Sequence, residues 1–149
     1  MTSRHSASAK AITQLILTVF RLNSELVLAG DRLTKDLRLT SARWQIFGQL
    51  GSDALTASQI ARNMSLNRQN VQPLVDALER DGLVEFVPNP NHRRAKLIRM
   101  TSAGRRAYHE ALARQVDWSN RFADGLPAKD LVRANEVLRE LVGRLQADD

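Results

Sequence analysis

The sequence predicts a mainly α-helical fold with one small β-hairpin, an α+β arrangement. Near both ends of the chain, apolar residues recur every three or four positions, which is the spacing of amphipathic helices. Only two short runs, residues 83–87 and 97–100, have the composition and alternation of strands, and a turn containing Asn and Pro separates them. These two strands therefore form a hairpin in an otherwise helical chain.

The composition is that of a folded, basic protein. The 149 residues are 43% apolar and 26% charged, which suits one compact domain or one module with helical extensions. The net charge is +6, and residues 40–105 hold nine basic side chains against five acidic ones. This excess favours an anionic polymer as partner, although it could simply keep the protein in solution.

Several functional classes are disfavoured by what the sequence lacks. There is no Cys, so disulfides and thiolate metal sites are excluded within this chain. His5, His92 and His109 lack metal-ligand spacing, and the seven glycines form no nucleophile-elbow, dinucleotide or phosphate-loop motif. No uninterrupted apolar run approaches the roughly 20 residues of a membrane span. We therefore expect no enzyme, no cofactor or metal, no membrane partner and a cytoplasmic location.

The N-terminal segment, residues 1–38, is predicted to be a dimerisation helix. From Ile12 onward its apolar residues form a seam along about six helical turns, comprising Ile12, Leu15, Val19, Leu22, Leu26, Ala29 and Leu33. One helix cannot cover such a seam alone. The seam therefore packs either within the chain or on a second copy, and we favour the second copy.

The middle segment, residues 39–101, begins with three short helices. Thr40 can cap the first, and Thr56 with Gln59 has the spacing of a capping box that begins the second. Asn67 can cap the third, in which Val71, Leu74, Val75 and Leu78 form an apolar face. Away from that face lie the polar side chains of Asn67, Arg68, Gln69, Asn70 and Gln72.

These polar residues have the chemistry of a DNA recognition helix. Arg can pair with guanine O6 and N7, and Asn or Gln with adenine N6 and N7. The alternative is an ordinary solvated face. Pro73 interrupts this helix, because it lacks the N–H that would bond the carbonyl of Gln69. Either the helix bends at Pro73, which we favour, or its regular part begins near that residue.

A basic hairpin follows the third helix. Gly82 is predicted to end the helix in the left-handed conformation, with Leu83 returning to the core. Arg93, Arg94 and Lys96 lie near the hairpin tip, where the arginines could enter a minor groove and the lysine could contact phosphate. The alternative is a merely solvated tip. Three helices followed by such a hairpin are the order of a winged helix-turn-helix module.

The C-terminal segment, residues 102–149, is predicted to form two further helices. The first spans residues 102–124 and ends at Gly125, and the second follows Pro127. We expect both ends of the chain to build a homodimer interface through Ile12, Leu15, Val19, Leu131, Leu138, Leu141 and Leu145.

Together these motifs resemble the MarR family of bacterial transcription regulators. The residues that carry the resemblance are Leu39-Thr40-x-x-x-Trp44, the run from Leu78 to Val84, Asn89-Pro90-x-x-Arg93-Arg94, and Met100-Thr101-x-x-Gly104. The resemblance covers nearly the whole chain. It implies a sequence-specific DNA-binding regulator, a repressor, whose homodimer places two recognition helices in successive major grooves of a pseudo-palindromic operator.

Two positions depart from the family pattern. His92 stands where the wing usually carries an Asp that holds the second Arg, and Pro73 occupies a position that is often polar or basic. The resemblance also implies release of DNA by a small aromatic or phenolic anion. We assign that ligand to Phe20, Arg43, Trp44 and Phe47. The alternative is that these aromatic rings are simply core.

A winged-helix dimer could also be an adaptor that binds protein or RNA without recognising an operator. The sequence alone leaves this function open. The two functions differ in salt dependence, because a duplex binder loses affinity linearly in the logarithm of salt concentration.

Overall fold

The computed structural model describes residues 6–147, and in that part of the chain it contains six α-helices and one two-stranded antiparallel sheet. Their order is α1 (Ala7–Leu33), α2 (Ser41–Leu50), α3 (Ala57–Asn63), α4 (Arg68–Arg80), β1 (Val84–Val87), β2 (Leu97–Met100), α5 (Ser102–Phe122) and α6 (Ala128–Ala147). The predicted mainly helical fold with one hairpin is confirmed. The outermost residues of both predicted terminal segments, His5 among them, lie outside the described residues.

The chain forms two compact units, one ending at Arg114 and the other beginning at Gln115, so that the boundary falls within α5. The first unit holds the hydrophobic core. Its most deeply buried side chains are Leu39, Ile46, Phe47, Leu50, Ile60, Val71, Val75, Leu78, Val84 and Ile98. This core joins α2, α3, α4 and the hairpin into the winged helix.

Polar residues precede the three short helices α2, α3 and α4, and two of them cap through their side chains as predicted. The Thr40 hydroxyl accepts from the N–H of Arg43, and Thr56 and Gln59 complete both halves of a capping box. Asn67 has the extended backbone of an N-cap, but its side chain accepts no capping hydrogen bond. The predicted side-chain cap at Asn67 is therefore wrong, although α4 does begin at the next residue.

Helix α4 runs through Pro73, so the alternative in which regular helix begins near that residue is wrong. The helix persists because Val71, Val75 and Leu78 are fully buried on its inner face. Burial of one such side chain stabilises by about 1.5–3 kcal/mol, so three together exceed the roughly 3 kcal/mol that an interior proline costs.

The hairpin is bonded to a third segment that the sequence did not predict as a strand. Within the hairpin, Val84 pairs with Met100 and Phe86 with Ile98. The backbone of Leu55, between α2 and α3, forms a bridge to Ile98 through hydrogen bonds of 2.8 and 3.1 Å. This bridge attaches the wing to the start of α3.

The base of the hairpin is fixed by Thr101 and two glycines. Gly82 has a φ of 71°, as predicted for the end of α4. The hydroxyl of Thr101 donates to the carbonyl of Gly82 (2.7 Å) and accepts from the N–H of Gly104 (3.0 Å). At Gly104 a Cβ would overlap the carbonyl oxygen of Leu83. The first turn of α5 therefore lies directly against the chain that enters the wing.

Helices α1 and α2 also approach closely, at Gly30 and Ser41. The hydroxyl of Ser41 donates to the carbonyl of Val27 (2.7 Å), and its N–H donates to a carboxylate oxygen of Asp31 (2.6 Å). A Cβ on Gly30 would overlap that hydroxyl, so a larger residue there would turn Ser41 away from the carbonyl of Val27. The contact orients α1 on the winged helix.

Arg114 links α5 to the segment after α1. Its guanidinium donates to both carboxylate oxygens of Asp36, at 2.6 and 2.9 Å, and to the carbonyl of Leu33 at 3.0 Å. The hydrogen bond from Arg114 holds the pKa of Asp36 below its usual value. Because Asp36 is largely exposed, we expect salt to screen this pair.

Helix α1 exposes apolar side chains on two faces. It contains no buried residue; Val19, Leu22 and Leu26 of the predicted seam are between 36% and 45% exposed. Off the seam, the exposed apolar residues are Ile16, Leu17, Phe20, Val27 and Leu28. Helix α6 likewise contains no buried residue. Parts of both predicted seams are therefore exposed in the single chain, and whether a second copy covers them stays a prediction.

The two apolar faces also bear on the membrane prediction. The segment Ala7–Leu37 is long and apolar enough to cross a membrane by length and composition alone. This corrects our prediction from the sequence that no apolar run approaches the length of a membrane span. One such helix is weak evidence of membrane insertion, because core helices of soluble proteins and signal sequences pass the same test.

We expect Gly104→Ala to lower the free energy of unfolding by about 1–3 kcal/mol, because the added methyl group must displace the Leu83 backbone. Urea denaturation of the full chain measures this. The matched control is Gly48→Ala in α2, where a Cβ meets nothing within 4 Å. There alanine should raise stability by up to about 1 kcal/mol through helix propensity. Equal stability of the two variants would contradict the close approach at Gly104.

Candidate nucleic-acid interface

The N-terminal end of α4 presents polar side chains to solvent, opposite its buried apolar face. All four residues from Asn67 to Asn70 are exposed, and Gln72 is half-buried. This is the distribution that the sequence predicted from the positions of Val71, Val75 and Leu78. The first turn of α4 is therefore accessible to a macromolecule that docks end-on.

A groove of about 280 Å³ lies between the start of α3, the N-terminal half of α4 and the wing. Its lining residues are Thr56, Ala57, Ser58, Arg68, Gln72, Phe86, Arg94, Ala95, Lys96 and Ile98. Three of these side chains are cationic and none is acidic. The groove thus brings Arg68 and Gln72 of the helix together with Arg94 and Lys96 of the wing, as an anionic partner requires.

The wing tip is a series of tight turns that carries its arginines outward. The Asn89 side chain accepts from the N–H of Asn91 (3.0 Å), and the carbonyl of His92 accepts from the N–H of Ala95 (3.2 Å). Arg93 and Arg94 are exposed. Within residues 6–147 neither forms an ion pair, and His92 makes no side-chain hydrogen bond to Arg94.

At the base of the wing the charges are paired. Arg99 and Glu85 face each other across the two strands, and their side chains lie 2.7 Å apart. Because this Arg is paired with an acid and the tip arginines are not, the unneutralised positive charge of the wing is concentrated at its tip.

Two acids, Asp76 and Glu79, lie on α4 itself, and one of them bonds a predicted contact residue. The Nε2 of Gln72 donates to a carboxylate oxygen of Asp76, one turn further along α4, at 2.8 Å. From the sequence we predicted Gln72 as a DNA contact and did not predict its hydrogen bond to Asp76. Their spacing of four residues on a helix was the available signal.

An ion pair holds the end of α4 against α2. Arg43 donates to Asp81 at 2.9 Å and to the carbonyl of Arg38 at 2.9 Å, and the Arg43 and Asp81 side chains are 22% and 29% exposed. Partial burial makes such a pair stronger than an exposed one. It fixes the C-terminal end of the recognition helix.

The four residues assigned to a ligand have different environments. Phe47 is fully buried and packs edge-on against Tyr108, with ring centroids 5.9 Å apart. Trp44 is half-buried against the same core, whereas Phe20 is 67% exposed. Phe47 therefore lies in the hydrophobic core and Trp44 packs against it, as expected if these rings are simply core residues. The ligand-binding role of all four stays a prediction.

Six groove residues were not among the sequence-predicted contacts: Thr56, Ala57, Ser58, Phe86, Ala95 and Ile98. Thr56 and Ser58 lie at the start of α3 and Phe86 on β1, and all three line the groove. Thr56 was identified only as a helix cap. Its second position, beside the wing, depends on the bridge between Leu55 and Ile98, which no local sequence pattern indicates.

Comparison with known protein sequences assigns this module to a family. A family model described as the MarR family matches residues 39–95. An uncharacterised protein of Mycobacterium tuberculosis is 33% identical over 137 residues, covering 92% of this chain and 96% of its own length. The transcriptional activatory protein BadR of Rhodopseudomonas palustris is 30% identical over 111 residues, covering 72% of this chain and 63% of BadR.

Solved structures share the fold over most of the chain. A Cys-to-Ser variant of MarR from E. coli, complexed with operator DNA, superposes with a TM-score of 0.80 at 19% identity, covering 91% of this chain and 99% of that one. CouR from Rhodococcus jostii, bound to p-coumaroyl-CoA, gives a TM-score of 0.73 at 25% identity, covering 85% and 90%. A further MarR-family transcription regulator gives 0.82 at 22% identity, covering 95% and 93%.

The fold, the exposed polar end of α4 and the cationic groove agree with these comparisons. The relative from M. tuberculosis extends the sequence similarity beyond the winged helix to nearly the full length of both chains. The chain belongs to the MarR family of winged-helix, DNA-binding transcription regulators, which are not enzymes.

Proposed function

We propose that this regulator is a cytoplasmic homodimer that recognises a pseudo-palindromic operator and represses transcription by occupying it. The observation that carries this proposal is the groove in which the recognition helix and the wing present cations together, with no acid in its lining. Such a groove suits a duplex, because phosphates attract it without regard to sequence while base edges supply discrimination.

Each side chain has a distinct role in this complex. Arg68, Gln69 and Asn70 occupy the exposed first turn of α4 and contact base edges in the major groove. Arg93 and Arg94 at the wing tip enter the adjacent minor groove, where narrow A·T segments concentrate negative potential. Lys96 contacts a phosphate.

The homodimer is supported by the apolar surface that α1 and α6 leave exposed. Leu131, Val132, Val142 and Leu145 of α6 are between 46% and 70% exposed, in addition to the residues of α1. Exposed apolar surface of this extent requires a partner, and a second copy carries the matching helices. Two copies would place their recognition helices about one helical turn of DNA apart.

A small aromatic anion is proposed to release the operator. CouR, whose structure contains p-coumaroyl-CoA, supports an aromatic ligand for this fold. In this chain the anion would compete with Asp81 for Arg43, with Trp44 and Phe20 contacting the ring and Phe47 forming the wall behind it. Loss of the Arg43–Asp81 pair would free the end of α4 and weaken DNA binding.

We expect Gln69→Ala and Asn70→Ala each to reduce discrimination between operator and random duplex by about 1–3 kcal/mol. Genomic fragments selected by the wild-type protein supply the operator, and fluorescence anisotropy on both duplexes measures discrimination. The matched control is Asn135→Ala on α6, outside the groove. Equal losses on operator and random DNA would defeat base recognition by this turn. A reporter gene downstream of the operator shows whether the protein represses or activates transcription. This measurement matters because the relative BadR is a transcriptional activatory protein.

Arg94→Ala should weaken binding to any duplex and flatten the dependence of affinity on salt. From the minor groove Arg94 neutralises the charge of nearby phosphates, so its loss should change the slope of log K against log salt by up to about 0.9 per chain bound. Arg139→Ala on α6 removes the same charge away from the groove and should leave the slope unchanged. An Arg94→Ala titration that matches wild type would remove the wing tip from the mechanism. A duplex affinity that does not change with salt concentration would support the adaptor function instead.

Calorimetric titration with benzoate, 4-hydroxybenzoate and p-coumaroyl-CoA should produce binding heat with at least one compound, and that compound should release the operator. Arg43→Lys keeps the charge but loses the two-pronged guanidinium geometry, so it should weaken ligand binding at least tenfold, about 1.4 kcal/mol. No heat and no release across the panel would contradict the aromatic ligand.

A further inference from the structure

We propose that Asp76 is a specificity-determining positioning residue, which orients the amide of Gln72 so that this side chain selects adenine over guanine. The inference rests on the proposed operator recognition and deepens it, because it names the base that one residue selects. It assigns a role to an acidic side chain on a DNA-binding helix, where its charge alone would oppose phosphates.

The geometry fixes which end of the Gln72 amide faces Asp76. The two side chains are four residues apart on α4, and Nε2 of Gln72 lies 2.8 Å from a carboxylate oxygen. An ionised carboxylate can only accept hydrogen bonds, so the amide nitrogen must be the atom that faces it. The amide oxygen and the second N–H of Gln72 are then left for another partner.

Adenine is the base that matches this arrangement. In the major groove adenine presents N6 as a donor and N7 as an acceptor, which pair with the free amide oxygen and the remaining N–H of Gln72. Guanine presents two acceptors, O6 and N7, so the oriented amide oxygen would face an acceptor. An amide that could rotate would adapt to either base.

The surroundings of Gln72 leave Asp76 as the group that orients it. Gln72 shares the groove with Arg68, Arg94 and Lys96, whose side chains only donate, and the lining residues of the groove include no carboxylate. Donors favour the amide oxygen and compete for it. Asp76 binds the opposite end of the amide and thereby holds its orientation.

The experiment uses full-length protein and operator duplexes that carry each of the four bases at every half-site position. Gln72→Ala identifies the position whose base preference depends on that side chain. At that position we expect wild-type protein to prefer adenine over guanine about tenfold, and Asp76→Ala to reduce this ratio to within about threefold. The matched control is Glu79→Ala, which removes an exposed acid of the same helix and should keep the full ratio.

Asp76→Asn separates the hydrogen bond from the charge. Its side-chain oxygen can still accept from Gln72, so most of the adenine preference should remain, whereas a purely electrostatic role for Asp76 would be lost as in the alanine variant. Thermal melting of each variant reports folding independently of base preference.

The outcomes distinguish this inference from the proposed function. Wild-type protein that enriches no sequence would defeat both. An operator whose adenine preference survives Asp76→Ala, or falls equally with Glu79→Ala, would overturn only the role of Asp76. Asp76→Asn that behaves like Asp76→Ala would also overturn it, because charge and not orientation would then be the cause.

Discussion

The proposed DNA-binding face depends on the hydrogen bonds where the chain leaves α4 for the wing and returns to α5. Thr101 bonds both Gly82 and Gly104, and its own N–H donates to the carbonyl of Leu83 at 3.1 Å. These bonds join the end of α4 to both ends of the wing, so they anchor the base of the wing against that helix. Anchoring of this kind lowers the entropic cost of binding a ligand in the groove between them.

The placement of acids makes the face selectively positive. Glu85 pairs with Arg99 and Asp81 with Arg43, and each of these pairs serves the packing of the module. Asp36 similarly engages Arg114. Two of the five acids between residues 40 and 105 thus neutralise arginines outside the wing tip, whereas the tip arginines form no ion pair within residues 6–147. The net charge of +6 does not show which arginines are paired and which are unpaired.

Local patterns in the sequence predicted the parts of the fold that local interactions determine. The capping box at Thr56, the left-handed Gly82 and the buried face of α4 each depend on residues within about four positions, and all three are present. The ion pair between Arg43 and Asp81 joins residues 38 positions apart, and the bridge from Leu55 to Ile98 is similarly distant. No periodicity indicates such contacts, because they arise only when the whole core packs.

The apolar surface of α1 has a consequence for how the regulator responds to its own abundance. Its winged helix has a complete core within one chain, whereas α1 leaves apolar side chains exposed, and we propose that a second chain covers them. If only the paired form binds an operator, occupancy at low abundance rises with the square of the cellular concentration. A gene controlled in this way would switch over a narrower range of regulator synthesis than one controlled by a monomer.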